Sequence, residues 1–440
     1  MILALCRSDV DRRYAESLRD QLRGRAEVAI DMLPGASRES AVTRPDTQMR
    51  SLMLRLRALV AHSPLRMVAL VRRFRRALRD LERRIGVARP EAIVLFEENV
   101  ADASHLAAAA ARRRGIPYLV LPTTIPNPQE AAQVLAVSHP RRVSGWIARS
   151  AARCWPQWGR VFERHPVLRL PISDIAALKW TGLDSATPWV LNSGHAGFIC
   201  VESRATGDIY RRRGVAEAQL VVTGSPVDLS LHEAWQDRAG RQRDLASRLG
   251  LDPQRPLMVV AFPPDQYAAR SAAFEYPSFA ALVEGWLGAL APLTSAVNVV
   301  LRPHPRLPLG ALLAFERAGC RVVTTPTEHL VALADVYVAC ISATIRWALA
   351  LGVPTINYDC YRYRYDDYSG ATGLVAVEDR TAFADAVRRL GTDAAYRDRL
   401  RELQVPDAAR WGCIDGRFAD RFMAVLETVA GAVGPATRRQ

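Results

Sequence analysis

Short runs of valine, isoleucine and leucine, each followed by a stretch of helical periodicity, recur in two separate arrays along this chain. A run of four to six such residues suits a strand buried on both faces. A strand–helix–strand rhythm of that kind closes into a parallel sheet with right-handed crossovers. In the first array strands are expected at Met1–Cys6, Val28–Met32, Ala92–Phe96 (AIVLF), Tyr118–Leu121, Phe198–Glu202 and Leu220–Thr223. In the second they are expected at Leu257–Phe262, Val297–Leu301, Arg321–Thr324, Val336–Ala339 and Pro354–Asn357. A chain of 440 residues exceeds the roughly 250–300 that one core organises. Each array is therefore read as its own α/β domain, with boundaries expected at 1–231 and 255–410 around a polar helix and linker at 232–254.

The formal charge is +14, and nearly all the cations are arginines, since Lys179 is the single lysine among 59 basic side chains. Such a field favours anionic partners: nucleotide phosphates, acidic glycans, anionic lipid or nucleic acid. Nucleic acid is set aside, because the arginines are spread widely and there is no helix-turn-helix, zinc module or RNP-like aromatic strand. The seven cysteines are scattered without metal-like spacing, and no metal ligand cluster is expected. The first apolar stretch is too short for a signal peptide, and no run reaches a membrane span, so a cytoplasmic location is expected.

The rhythm breaks at Arg50–Arg84, a very basic helical stretch with Pro64 expected to split it. Leu70, Phe74, Leu78 and Leu81 recur on one stripe between the arginines. Two readings stay open, a helix lying on an anionic membrane surface and an ordinary helical hairpin with its arginines in water. A second irregular stretch, 134–189, holds five of the nine tryptophans and reads as either an acceptor-binding wall or a local core.

Chemistry is expected where strands end, because open α/β sheets bind ligands beyond the carboxyl ends of their strands. Glu97 and Glu98 follow AIVLF directly, and His195 sits in an Asn-Ser-Gly-His turn. In Leu301-Arg302-Pro303-His304-Pro305 the two prolines hold the backbone extended and aim Arg302 and His304, an arrangement suited to an anion. Ser342-Ala343-Thr344 opens a helix after the strand at Val336, and free amides at a helix start also favour a phosphate. Tyr361, Tyr363, Tyr365 and Asp366, interleaved with arginines, read as a wall over a sugar or as a loop stapled to its own domain.

The order VVTGSPVD, LRPHP and VYVACISATIRWALALGVPTINYD resembles the GT-B glycosyltransferases of bacterial surface polysaccharide. Its His-Pro and Ser/Thr motifs are similar to those of sialyl- and Kdo-type transferases that use CMP-sugars. The resemblance implies two Rossmann-like domains facing across a cleft, with residues 411–440 forming a helix that crosses back to the first. It implies a nucleotide-sugar co-substrate, CMP-linked ahead of UDP-linked, and neither cofactor nor metal. The donor would be held by Arg302, His304, Pro305, Ser342, Ala343, Thr344, Gly224 and Ser225. The acceptor would be a surface polysaccharide or lipid-linked glycan, with Glu98, Glu97 or His195 as base. A non-hydrolysing UDP-sugar 2-epimerase and a phosphopolyol transferase share the frame and remain alternatives. The epimerase-type Glu-Ala-Gly-Leu-Arg and Ser-Gly-Gly segments are replaced here by PTTIPN and CISAT.

Overall fold

The computed structural model of the protein describes residues 1–34, 63–136, 143, 146–162, 165–192, 194, 196–267, 274–304, 307 and 309–432. Its contacts divide it into two compact units. The first comprises Met1–Val201, Gly207–Val222 and the stretch from Ala419, and the second comprises Glu202–Thr206 and Thr223–Phe418.

The first unit is built on six parallel strands, β1 (Ile2–Cys6), β2 (Val28–Met32), β3 (Ala92–Leu95), β4 (Tyr118–Val120), β7 (Phe198–Val201) and β8 (Leu220–Val222). Their order is β2-β1-β3-β4-β7-β8. β1 and β3 are buried along their whole length, which is why they read as unbroken apolar runs. The helix Pro64–Ala88 starts on a Ser63 cap with Pro64 in its first turn. Proline lacks only an amide that is unpaired there anyway, so Pro64 begins this helix after an extended Ser63. Residues 50–62 of the expected basic stretch lie outside the described residues. Val71, Leu78, Leu81 and Ile85 of this helix are buried and, with Phe74, it packs into the core of the domain. Its apolar side is therefore occupied by protein from Val71 to Ile85, while Leu65, Val68, Arg72, Arg73, Arg75, Arg76 and Arg79 are exposed.

The tryptophan-rich stretch is divided in role. Trp158 is fully buried and donates to Asp184 at 3.1 Å, and Trp189 is buried. Trp146 and Trp180 are 75% and 68% exposed. A small antiparallel hairpin, β5 (Gly159–Phe162) with β6 (His165–Leu168), stands in this stretch; the sequence reading did not foresee it.

The second unit also holds six parallel strands, β9 (Leu257–Phe262), β10 (Asn298–Pro303), β11 (Arg321–Val322), β12 (Val336–Ala339), β13 (Thr355–Tyr358) and β14 (Leu374–Val377). Their order is β11-β10-β9-β12-β13-β14. Numbered within the unit this is 3-2-1-4-5-6, the doubly wound order whose direction reverses between its first and fourth strands, β9 and β12. Its core is aromatic, with Phe262, Trp286, Phe315, Tyr358 and Phe383 in mutual contact. The polar stretch before β9 forms two helices, Asp228–Gln236 and Arg238–Leu249. Arg238 fastens the second of these by donating to Asp335 at 2.6 Å. No described helix is long and apolar enough to cross a membrane.

Candidate functional site

Both the His304 loop and the Ser342 turn lie at the carboxyl edge of the second sheet. They do not follow neighbouring strands, because β9 stands between β10 and β12. Arg302 and Ala339 pair with the same residue, Ala261 of β9, so the two strand ends are level and about 10 Å apart, two strand spacings. The gap is the switch point, and the loop after β9, Pro263–Tyr267, opens onto it. That loop went unremarked in the sequence, although PPDQ directly after LMVVAF was the available signal.

His304 is half-buried and is tied to β9 by its amide, which donates to the Phe262 carbonyl at 3.3 Å. Arg302 points elsewhere. Its Nε donates to the carbonyl of Thr325, beyond β11, at 3.0 Å, and Nη1 donates to Pro303 at 2.5 Å. The guanidinium thus braces the outer strand and is drawn away from the Ser342 turn. Pro305 lies outside the described residues.

After β12, Ile341 takes a left-handed conformation (φ 42°), rare for a β-branched residue and costing about 1–3 kcal/mol. Its amide donates to Asn357 Oδ1 at 3.0 Å, at the end of β13. Ser342 Oγ accepts from the Thr344 amide at 3.3 Å and lies 2.7 Å from Thr344 Oγ1, which is 2.5 Å from the Tyr337 hydroxyl. Tyr368 donates to the Ser342 carbonyl at 2.5 Å. The turn is thereby held from three sides, with Ala343 exposed at its tip. The helix that follows, Ile345–Ala350, is only six residues long, so the hydroxyls and the fixed turn matter more here than a helix dipole.

Behind the turn Arg346 is 2% exposed. Its Nε lies 2.9 Å from Glu202 Oε2 and its Nη2 lies 3.7 Å from Asp228 Oδ1. Burial pushes the Glu202 carboxyl up, and the Arg346 cation opposes this. Asp228 in turn accepts from the Ser225 amide at 2.8 Å, and Gly224 supplies the left-handed residue (φ 83°) before it. Arg346 thus joins the Gly224–Ser225 loop to the Ser342 turn. Ser225 is 2% exposed, and its buried hydroxyl has no hydrogen-bond partner among the described residues.

The tyrosine tract is split. Tyr361 is buried, stacked on Phe274 at 5.0 Å, and donates its hydroxyl to the Pro264 carbonyl at 2.7 Å. It is a strut beneath the β9 loop and not a face of the wall. Tyr363 and Tyr365 stack on each other at 4.9 Å and are partly exposed, and Asp366 is exposed. The Arg364 amide donates to Asp359 at 2.7 Å, stapling the tract to its domain. Cys340 and Cys360 hold their sulfurs 3.5 Å apart beside it, and none of the seven cysteines, all of them described, is in a disulfide.

In the first unit the strand order reverses between β1 and β3, and a polar cluster occupies their carboxyl ends. Arg7, directly after β1, contacts Glu97 at 2.6 Å and Asp11 at 3.1 Å. Burial disfavours the Arg7 cation, but Glu97, Asp11 and Asp102 outweigh it and raise its pKa. Glu97 also accepts from Asn99 at 3.1 Å and from Thr124 at 3.2 Å. Arg169, buried, donates to Asn99 Oδ1 at 3.1 Å; burial lowers its pKa against the pull of Glu97 and Asp102. Neither arginine was singled out in the sequence, where only the position of Arg7 after ILALC could have marked it.

Glu98 faces the interior. It accepts from Tyr118 at 3.1 Å and faces His105 Nδ1 at 3.4 Å, while its amide donates to Asn192 at 2.6 Å. A Cβ at Gly194 would lie 1.9 Å from its Oε1, so the glycine is required by the close approach. His195 lies outside the described residues. No group of His, Cys, Asp and Glu among the described residues is arranged to hold a metal ion.

Two six-stranded parallel sheets with helices, one in each unit, define the GT-B class of α/β fold. The sequence matches no family model and no curated protein. Among solved structures, a UDP-GlcNAc 2-epimerase from Neisseria meningitidis bound to UDP-GlcNAc is similar over 97% of this chain and 99% of its own, with a TM-score of 0.52 and 9% identity. S. aureus MnaA with UDP is similar over 98% and 96%, with a TM-score of 0.54 and 10% identity. Agreement at this level of identity is agreement in fold.

Proposed function

We propose that the protein is a glycosyltransferase that moves a sugar from a nucleotide-sugar donor onto a surface polysaccharide or lipid-linked glycan in the cytoplasm. The observation that carries this reading is the pre-set Ser342 turn at the switch point of the second sheet, with His304 across β9 and the Tyr363–Tyr365 face nearby. In glycosyl transfer the leaving nucleotide takes up negative charge. The Ser342 and Thr344 hydroxyls and the His304 imidazole are groups that can meet that charge. The acceptor hydroxyl loses a proton as the bond forms. Glu97 or Glu98 takes it; both are buried, Glu97 held by Arg7, Asn99 and Thr124 and Glu98 by Tyr118 and His105.

The His-Pro and Ser/Thr resemblance supports a CMP-sugar, whereas the fold neighbours named above were solved with UDP-GlcNAc and UDP. A thermal-shift screen against CMP, CDP, UDP and GDP separates them, since a ligand at a hundred times its Kd stabilises by about 2.7 kcal/mol. His304→Ala is expected to weaken that ligand by about 10–100-fold, the loss of one charge-assisted hydrogen bond. Unchanged binding in His304→Ala would remove the donor assignment. The full-length likeness to 2-epimerases keeps one rival on the same frame. Interconversion of a UDP-sugar incubated alone, without acceptor, would replace the transferase reading with that one. Most of the apolar side of Pro64–Ala88 is buried in its own domain, so a membrane contact through this helix would rest on its exposed arginines and on Leu65 and Val68 near its start.

A further inference from the structure

A groove of about 730 Å³ runs along the outer face of the first unit. One wall is the middle of the helix Pro64–Ala88, which presents Arg72, Arg75, Arg76 and Arg79. The other is formed by Arg113 and Trp180, with Phe74 and Leu78 between them. Arg113 reaches Glu82 at 3.7 Å. The other four arginines have neither an ion pair nor a hydrogen bond among the described residues. Side chains at positions 72, 75, 76 and 79 share one helical face and span about 10 Å along it. Trp180, 68% exposed, makes no ring contact among the described residues.

The groove is separate from the Glu97–Glu98 turn. The helix Ala103–Arg113 starts near that turn and carries Arg113 at its far end, eleven residues on, about 16 Å away along the axis. The groove therefore lies off the edge where ligands of such sheets react. A row of uncompensated guanidinium groups forks onto carboxylate or phosphate oxygens, and an indole face stacks on a sugar ring. A concave channel accommodates a chain, whereas a bilayer presents a flat surface.

We propose that this groove binds a linear anionic glycan, one carrying a carboxylate or phosphodiester on successive sugars, at a site distinct from the reacting centre. On the glycosyltransferase reading, on which this role alone rests, the bound stretch is the part of the acceptor chain already built.

The test is direct binding to the full chain, without donor, by fluorescence anisotropy of a labelled sialic-acid oligomer, with dextran of equal length as the uncharged control. Binding is expected for the anionic oligomer only, and it weakens as salt rises from roughly 0.05 to 0.5 M. Arg75→Glu/Arg76→Glu/Arg79→Glu lowers affinity by about tenfold or more, with an unchanged melting temperature because these side chains lie in solvent. The milder Arg→Gln triple variant follows in the same direction. Trp180→Ala lowers affinity for the oligomer but not for inorganic polyphosphate.

Equal loss of both ligands in Trp180→Ala, or wild-type binding in the arginine variants, would overturn the glycan site. So would absence of oligomer binding together with sedimentation on phosphatidylglycerol vesicles that depends on the same arginines and on exposed Leu65 and Val68, which would make the surface a membrane contact. The readout needs no turnover. Failure of the transferase reading would appear in the nucleotide screen and leave this result standing.

Discussion

Replacing Arg346 by Met keeps most of the side-chain volume in helix Ile345–Ala350 and removes only the charge. What remains is Glu202 and Asp228, 7% and 1% exposed, without the cation between them. Breaking a buried ionic group by deleting one partner costs about 3–5 kcal/mol, because the stranded charge keeps its desolvation penalty. In a unit of roughly 200 residues that corresponds to a fall in its melting temperature of roughly 6–20 °C. The pH dependence gives a second, independent readout. Burial already raises the Glu202 carboxyl, and Arg346 opposes the rise, so the variant's folded pKa lies higher still. A raised folded pKa stabilises below the unfolded value, about 4.3, and that stability is lost as pH rises through the folded value. The deficit of Arg346→Met should therefore shrink as pH is lowered from about 7 towards 5. Adding Glu202→Gln should recover part of the loss at neutral pH. Calorimetry of the wild type, Arg346→Met, Glu202→Gln and the double variant across that range is the assay. A variant that melts within a degree or so of wild type, with a parallel pH profile, would refute the inference that this network supports the turn.

Two further outcomes are expected in the first unit. Gly194→Ala drives a methyl into Glu98, which Tyr118 and His105 hold in place; it should destabilise by about 1–3 kcal/mol. The effect should be strongly reduced in a Glu98→Ala background, and simple additivity in thermal melts would count against the contact. Burial opposes charge on His105, but the Glu98 carboxylate and the Leu183 carbonyl outweigh it and raise its pKa. Its contribution is then complete below the unfolded value of about 6.5 and is lost as pH rises through the higher folded value. Urea midpoints should decline over that window in the wild type, and the decline should flatten in His105→Gln; equal slopes would dismiss the pairing.

Strands buried on both faces were legible because burial leaves only apolar side chains, as in AIVLF and LMVVAF. β14 was missed for the opposite reason: all four of its residues keep some exposure, and LVAV after a glycine carries little signal. The hairpin β5–β6, with exposed residues at Arg160, Val161, His165 and Pro166, was equally faint. At the candidate site, positions at strand ends could be read, but side-chain directions could not. Whether Arg302 turns to Thr325 or to the Ser342 turn depends on β9 lying between β10 and β12, and strand order is not written in local composition. Tyr361 and Tyr363 are two residues apart in one motif, yet one points into the core and the other lies at the surface. Arg7 and Glu97 meet only because β1 and β3 are neighbours.

Ile341 carries one more implication. Glycine would occupy the same backbone angle without penalty, but glycine would also visit many others. Isoleucine by itself prefers other angles, so the left-handed backbone persists because the Asn357 contact and the hydrogen bonds of residues 342–344 hold it there. On the donor role proposed above, that rigidity would leave little ordering for association to impose.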